Sequence, residues 1–362
     1  MLRPRDRFYS IPLYHPPLAG RDGLRLDFNE NTIGCSPRVL ERLRQVSFED
    51  LARYPEKAFA EKKMAEFLGV AESELLLTNG TDEAIHLLCQ TYLEAGDQAL
   101  IVVPTYSMYR IYMIAAGAHV AAVPMDPSFE FPFPAVRDAI TERTRLIAIA
   151  NPNNPTGTLA PVDQLLALAK SAPRAAVLID EAYFEFCGKS ILSKKRECPN
   201  VFVARTFSKA YGLAGLRVGA LIGDANQMSA VRRVSSPYNV NGIALACLPV
   251  ALEDEGFVQN YVSEVLESRT HLQETLQSAG VPYWPSEANF VLMRVGTTGD
   301  EARQFTERMR ARGILVRDRS ADYGCEGCVR ITLGPKKHTD KLLAALHATQ
   351  EELNIAQGIT AR

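Results

Sequence analysis

Between residues 75 and 204 the chain repeats one pattern, a short uninterrupted apolar run followed by a segment with helical periodicity. The runs at 75–78, 99–103, 145–150, 175–179 and 201–204 are leucine-rich or β-branched and show no alternating polar face. Helical patterns at 82–93, 106–115 and 162–172 stand between them. A strand without a polar face must be covered on both sides, and strands separated by helices join in parallel. The pattern therefore predicts an α/β fold with a mostly parallel sheet covered by helices. Residues 216–223 read as one further strand, for which an antiparallel placement is open.

After residue 255 the rhythm changes. A long charged helix is expected over 256–279, then a strand at 289–295, a helix at 300–312, strands at 314–317 and 329–333, and a helix at 337–353. A chain of 362 residues is too long for one simple core. The expected division is a large domain over 46–254 and a smaller α+β domain over 255–362, with an N-terminal arm, 1–45, that belongs to the smaller one.

Charge narrows the partners. Forty basic and 42 acidic side chains leave a net charge of −2, which argues against a nucleic-acid-binding face but leaves room for a few arginines around an anionic small molecule. Neither a signal-peptide pattern nor an apolar stretch of membrane-spanning length is visible. Seven scattered cysteines suit a reducing compartment, and the expectation is a cytoplasmic protein. Cys325 and Cys328 have CxxC spacing, but no second pair or nearby histidines complete a zinc site, so no metal is expected.

Three segments carry chemistry. In Arg205-Thr206-Phe207-Ser208-Lys209, hydroxyls stand three and one residues before the lysine, and Arg217 follows eight residues after it. Hydroxyl donors and a guanidinium can hold a phosphate monoester while the amine reaches an aldehyde. Asn151-Pro152-Asn153-Asn154-Pro155-Thr156-Gly157 follows one strand, and taken alone it is a turn. Asp180, in Ile179-Asp180-Glu181-Ala182-Tyr183, ends another, where a buried carboxylate needs a partner. All three fall at carboxyl ends of strands, the edge where open α/β sheets bind ligands.

In order and spacing these segments resemble the fold-type-I pyridoxal-phosphate enzymes of the aspartate-aminotransferase superfamily, over nearly the whole chain. The resemblance implies pyridoxal 5'-phosphate as cofactor, with Lys209 as its Schiff-base lysine and proton shuttle. It implies that Asp180 pairs with the pyridinium nitrogen, that Tyr183 and Asn154 bond the phenolic oxygen, and that Tyr106 stacks on the ring. Thr206, Ser208 and Arg217 would hold the phosphate together with Thr81 and Asp82, at the start of a helix. Tyr54 matches a position that reaches the phosphate of the neighbouring subunit, implying a homodimer with a shared site.

The outer segments are similar to histidinol-phosphate aminotransferases: Leu26-Asp27-Phe28-Asn29-Glu30-Asn31, Pro104-Thr105-Tyr106-Ser107-Met108-Tyr109, Gly313-Ile314-Leu315-Val316-Arg317-Asp318 and Cys328-Val329-Arg330-Ile331-Thr332. That likeness implies transamination between a phosphorylated amine and 2-oxoglutarate or glutamate. Arg330 would grip the carboxylate, Arg317 and Tyr14 would contact the phosphate, and Asn31 would join the substrate pocket. Where the family usually reads Asn-Pro-Tyr-Gly-Pro, this chain has Asn31-Thr32-Ile33-Gly34-Cys35, which changes the pocket wall. An aromatic amino acid stays open as donor. Threonine-phosphate decarboxylase is the competing enzyme, on a closely similar scaffold. A DNA-binding cofactor sensor is disfavoured, because residues 1–45 resemble the enzyme's own arm.

Overall fold

The apolar runs become the interior of a seven-stranded sheet. The computed structural model describes residues 2–11, 13, 20 and 22–353. In chain order the strands are β1 (Leu24–Arg25), β2 (Leu75–Thr78), β3 (Gln98–Val103), β4 (His119–Pro124), β5 (Thr144–Ala150), β6 (Ala176–Asp180), β7 (Val201–Thr206) and β8 (Gly219–Ile222). They are followed by β9 (Tyr283–Trp284), β10 (Phe290–Arg294), β11 (Ile314–Leu315), β12 (Arg317–Asp318) and β13 (Cys328–Thr332). The large sheet has the order β2-β8-β7-β6-β5-β3-β4, and β8 alone runs antiparallel to both of its neighbours.

Side-chain alternation divides the core in two. Leu75, Leu77, Val177, Ile179, Val201 and Val203 point into one cluster, whereas Leu76, Leu178 and Phe202 point into another, beneath helices Gly80–Tyr92 and Ser107–Ala116. The first cluster continues into Phe290, Val329, Ile331 and Leu342, so the C-terminal sheet packs on the same core. That sheet is antiparallel with the order β12-β13-β10-β9, and a separate two-stranded pairing joins β1 to β11. The N-terminal segment is thereby fixed to the C-terminal region by backbone bonds such as Leu24 N to Gly313 O, 2.8 Å.

Three sequence expectations are corrected. The strand expected over 216–223 begins only at Gly219, because Arg217 adopts a left-handed conformation (φ 55°) that no strand tolerates. The single strand expected at 314–317 is two, since the chain changes sheets at Val316. β4 was not anticipated: it is an edge strand, alanine-rich and partly exposed, without the apolar continuity of its neighbours.

One buried ion pair anchors the sheet. Arg205 on β7 bridges Glu181 at 2.7 Å, both almost fully buried, and lies 3.5 Å over the ring of Phe184. Removing one member of such a pair leaves a charge in the interior without compensation. The Arg205→Ala variant is expected to lose about 3–5 kcal/mol of stability, read as a lowered midpoint in urea unfolding.

Candidate active site

The site lies where β2, β3, β5, β6 and β7 end, all on the same edge because those strands are parallel. Lys209 stands on the loop between β7 and β8, closed at its base by Phe207 N to Val218 O and Leu213 N to Phe207 O. Gly212 lets this loop turn, with φ 69°, and an added Cβ would meet the carbonyl oxygen of Gly34 at 2.5 Å. The Lys209 amine donates to Phe28 O at 3.0 Å. Burial, with the nearby charges of Arg330 and Arg217, lowers its pKa to about 8. It can therefore be neutral, and nucleophilic, at ordinary pH.

Asp180 ends β6, buried. Tyr109 donates its phenolic hydrogen to Asp180 Oδ2 at 2.7 Å, and the amide of Ala182 reaches Oδ1 at 3.2 Å. Burial nonetheless raises the carboxyl to about 6, helped by the neighbouring charges of Asp82 and Glu181. A positively charged ring nitrogen is the partner such a carboxylate favours.

The start of helix Gly80–Tyr92 forms a cup. Gly80 has φ 74°, and a Cβ there would lie 2.7 Å from the Arg217 guanidinium. Arg217 donates to Asp82 Oδ2 at 3.2 Å, and the Tyr106 hydroxyl donates to Asp82 Oδ1 at 2.8 Å. Thr81 is half-buried in the first turn. Thr206 Oγ1 accepts from the amide of Ser208, whose own buried hydroxyl has no hydrogen-bond partner. A buried orphan hydroxyl, a guanidinium and a helix start fit a phosphate monoester.

A third group lies on the antiparallel sheet. Arg317 and Arg330 are directly opposed across β12 and β13. Arg330 is buried and donates to Asn154 Oδ1 at 2.5 Å and to Asp27 O at 2.7 Å. Burial and the charges of Arg319 and Arg317 lower its pKa to about 10. Arg317 lies 5.4 Å over the ring of Phe28. Tyr183 is buried and accepts from Asn29 Nδ2 at 3.0 Å.

A sequence profile of aminotransferase class I and II matches residues 21–346. The chain belongs to the aminotransferase class I and II family. Histidinol-phosphate aminotransferase 1 of Bacillus cereus is 34% identical over 330 residues, covering 89% of this chain and 88% of that protein. Histidinol-phosphate aminotransferase of Brevibacillus brevis is 32% identical over 361 residues, covering 95% and 98%. Among solved structures, histidinol-phosphate aminotransferase from Sinorhizobium meliloti in complex with pyridoxal-5'-phosphate superposes with a TM-score of 0.88 at 26% identity, over 98% of this chain and 99% of that one. The fold is that of the fold-type-I aminotransferases.

Most of the expected site residues of this aminotransferase gather at that edge, with three qualifications. Tyr14 lies outside the described residues. Tyr54 is 78% exposed and stacks on Tyr238 at 4.2 Å, so within its own chain it faces outward. Asn31 lines a cavity of about 350 Å³ with Leu24, Ser208 and His338, but its side-chain amide already donates to Ala210 O at 2.8 Å and accepts from Ile33 N. Tyr109, Asn29 and Arg319 were missed. The signal for Tyr109 was its place three residues after Tyr106, one helical turn on.

The raised Asp180 pKa sets a pH window. A folded-state value near 6 against an ordinary 3.8 means that ionisation weakens the cofactor-free fold. The penalty is absent below about pH 4, grows towards pH 6 and is complete above it, at about 2–3 kcal/mol. The cofactor-free Asp180→Asn variant is therefore expected to be more stable than its parent above pH 6, by a margin that closes towards pH 4. Chemical denaturation across that range measures the margin, and a flat difference would contradict the strained carboxylate.

Proposed function

We propose that this aminotransferase exchanges an amino group between histidinol phosphate and 2-oxoglutarate/glutamate in histidine biosynthesis, with pyridoxal 5'-phosphate held at Lys209. The observation that carries the reading is a single amine, lowered towards neutrality, flanked by two separate guanidinium groups: Arg217 beside the helix start, and Arg330 on the second sheet. One can serve the cofactor's phosphate and the other a substrate anion. The names of the relatives and of the superposed structure support the same choice.

When bound, the cofactor supplies an electron sink for the α-carbon of the amino substrate. Lys209 would hold its aldehyde carbon and, once displaced from it by the substrate's own amine, would take and return the proton at the substrate α-carbon. Asp180, positioned by Tyr109, would keep the ring nitrogen protonated. Tyr183 and Asn154 would hydrogen-bond the phenolic oxygen. Tyr106, fixed by its bond to Asp82, would pack on the ring face. Thr81, Asp82, Thr206, Ser208 and Arg217 would surround the phosphate. Arg330 would bind a carboxylate as a fork, while Arg317 and Tyr14 would meet the substrate phosphate and Asn31 would line the entrance.

The same proposal divides the chain at 46–254 and 255–362, with 1–45 joined to the smaller unit, as the pairing of β1 with β11 supports. It also makes the enzyme a homodimer. Tyr54 and Phe59 are exposed at the lining of a hollow, with Phe48 and Leu51 exposed nearby in sequence; a second copy would cover this face and bring Tyr54 to the partner's phosphate cup. Seven free thiols support a cytoplasmic setting.

Holoenzyme given histidinol phosphate and 2-oxoglutarate should form glutamate with kcat/KM at least about tenfold above that for an aromatic amino acid donor. Borohydride should fix the cofactor on the peptide containing Lys209. Release of CO2 from threonine phosphate without formation of glutamate would overturn the reading in favour of the decarboxylase.

A charge placed in the apolar group tests the dimer separately. Phe59→Glu should shift sedimentation towards the monomer and weaken cofactor retention by about tenfold or more, because Tyr54 is then lost from the partner's cup. An unaltered dimer would remove this face from the interface.

A further inference from the structure

The charge on the second sheet exceeds what the roles given above require. Arg319 follows β12, and its amide continues the ladder by donating to Cys328 O at 3.0 Å. Successive side chains of an extended strand alternate, so Arg319 projects on the same face as Arg317, which is opposite Arg330. Arg319 is largely buried and paired with Asp322 three residues on. Its charge acts on Arg330 and on Tyr183, both already placed in the site. Three guanidiniums therefore converge beside Asn154, Tyr183 and Phe28.

Hydrogen bonding points the same way. The Nε atoms of Arg319 and Arg330 are both buried, and neither has a hydrogen-bond partner. Buried donors of a charged group are costly to leave unmade. The Arg330 terminal nitrogens are tied to Asn154 and Asp27 O, both neutral, so they orient the fork without compensating its charge. Asp322 sits among the three arginines as one carboxylate against three guanidiniums; burial raises its pKa while their charges lower it. One carboxylate on a substrate would offset one guanidinium. A phosphomonoester carries nearly two charges and three acceptor oxygens, enough for two.

We propose that Arg319, braced by Asp322, is a third anion-binding residue of the substrate site. With Arg317 it takes a dianionic group, a phosphomonoester, while Arg330 takes the carboxylate of the second substrate. The inference rests on the reaction proposed above and adds the residue that selects for double charge. Arg319 and Asp322 act as a unit: the carboxylate holds the fork in one rotamer, so less ordering entropy is lost when the anion arrives.

The test uses holoenzyme with Arg319→Gln, Arg319→Lys and Asp322→Asn, each checked for an unchanged melting temperature and cofactor absorbance. The first probe is inorganic phosphate as an inhibitor of glutamate turnover, with chloride at equal ionic strength as control. Arg319→Gln should raise the phosphate inhibition constant by about tenfold or more, the loss of one or two charge-assisted bonds, and Arg319→Lys by less. The second probe is the ratio of kcat/KM for histidinol phosphate to that for unphosphorylated histidinol, which should fall by a similar factor in Arg319→Gln and partly in Asp322→Asn. Unchanged phosphate inhibition in both Arg319 variants, or equal losses with the two donors, would overturn the proposal. Should Arg319→Gln not fold, Arg319→Lys and Asp322→Asn decide by the same two readings. If wild-type enzyme ignores histidinol phosphate, the proposed reaction fails, yet phosphate inhibition still reads Arg319.

Discussion

A carboxylate buried at the end of a central parallel strand is an expensive group, and the arrangement around Asp180 follows from that cost. Its nearest donors, the Tyr109 hydroxyl and the Ala182 amide, are neutral, and its charged neighbours Asp82 and Glu181 repel it. The strand order places β6 in the middle of the sheet, where water does not reach and no surface cation can neutralise the group. Glu181, the next residue, is also buried, and burial raises its carboxyl too, but it receives Arg205, the Ser190 hydroxyl and the Ile191 amide. The two neighbours thus divide structure from chemistry. Glu181 faces the Arg205 cation, whereas Asp180 faces the neutral donors Tyr109 and Ala182 at the active edge.

Positive charge approaches that edge from a different part of the chain. The antiparallel sheet presents Arg317 and Arg330, and β12 and β13 are themselves held by the core that continues from the large sheet. Lys209 sits between the two regions and responds to Arg330 and Arg217 at once. Burial first, and repulsion from these cations second, lower the amine's proton affinity, which a nucleophile at neutral pH requires. The same repulsion favours any anion that enters. The same cations therefore contribute both to the lowered proton affinity of the lysine and to the attraction of anions.

The large sheet was legible in the sequence because its strands are buried on both faces and leave no polar register to misread. β4 escaped because an edge strand needs no such run: its alanines and His119 are partly exposed. Strand ends were misplaced where backbone conformation, not side-chain pattern, decides them, as at Arg217 with φ 55°. Lys209, Asp180 and Arg330 could be singled out from the sequence because each stands in a local motif. Arg319 and Tyr109 were not singled out: Tyr109 reaches Asp180 from 71 positions away, and Arg319, paired with Asp322, stands outside the motif residues. Asn31 shows the converse, a motif residue whose amide holds Ala210 and a turn.

The segment 27–31 connects these observations. Asp27 O accepts from Arg330, Phe28 O accepts from Lys209, and the Phe28 ring lies beneath Arg317. Asn29, with φ 56°, bonds Tyr183 through its amide and exchanges two bonds with Thr332, while Asn289 donates to its carbonyl. Asn31 then reaches Ala210, the residue after the lysine. A single strap therefore orients the Lys209 amine and the Arg330 guanidinium and ties the two sheets together. Asp27 O and Phe28 O meet Arg330 and Lys209 as carbonyl oxygens, which direct a charged donor without neutralising it. Charged groups held in this way keep their geometry and their appetite for an anion together, which is preorganisation in the electrostatic sense. Asparagine suits position 29 because it tolerates the left-handed conformation and carries both a donor and an acceptor, so a neutral residue there serves both sheets without adding charge to the site.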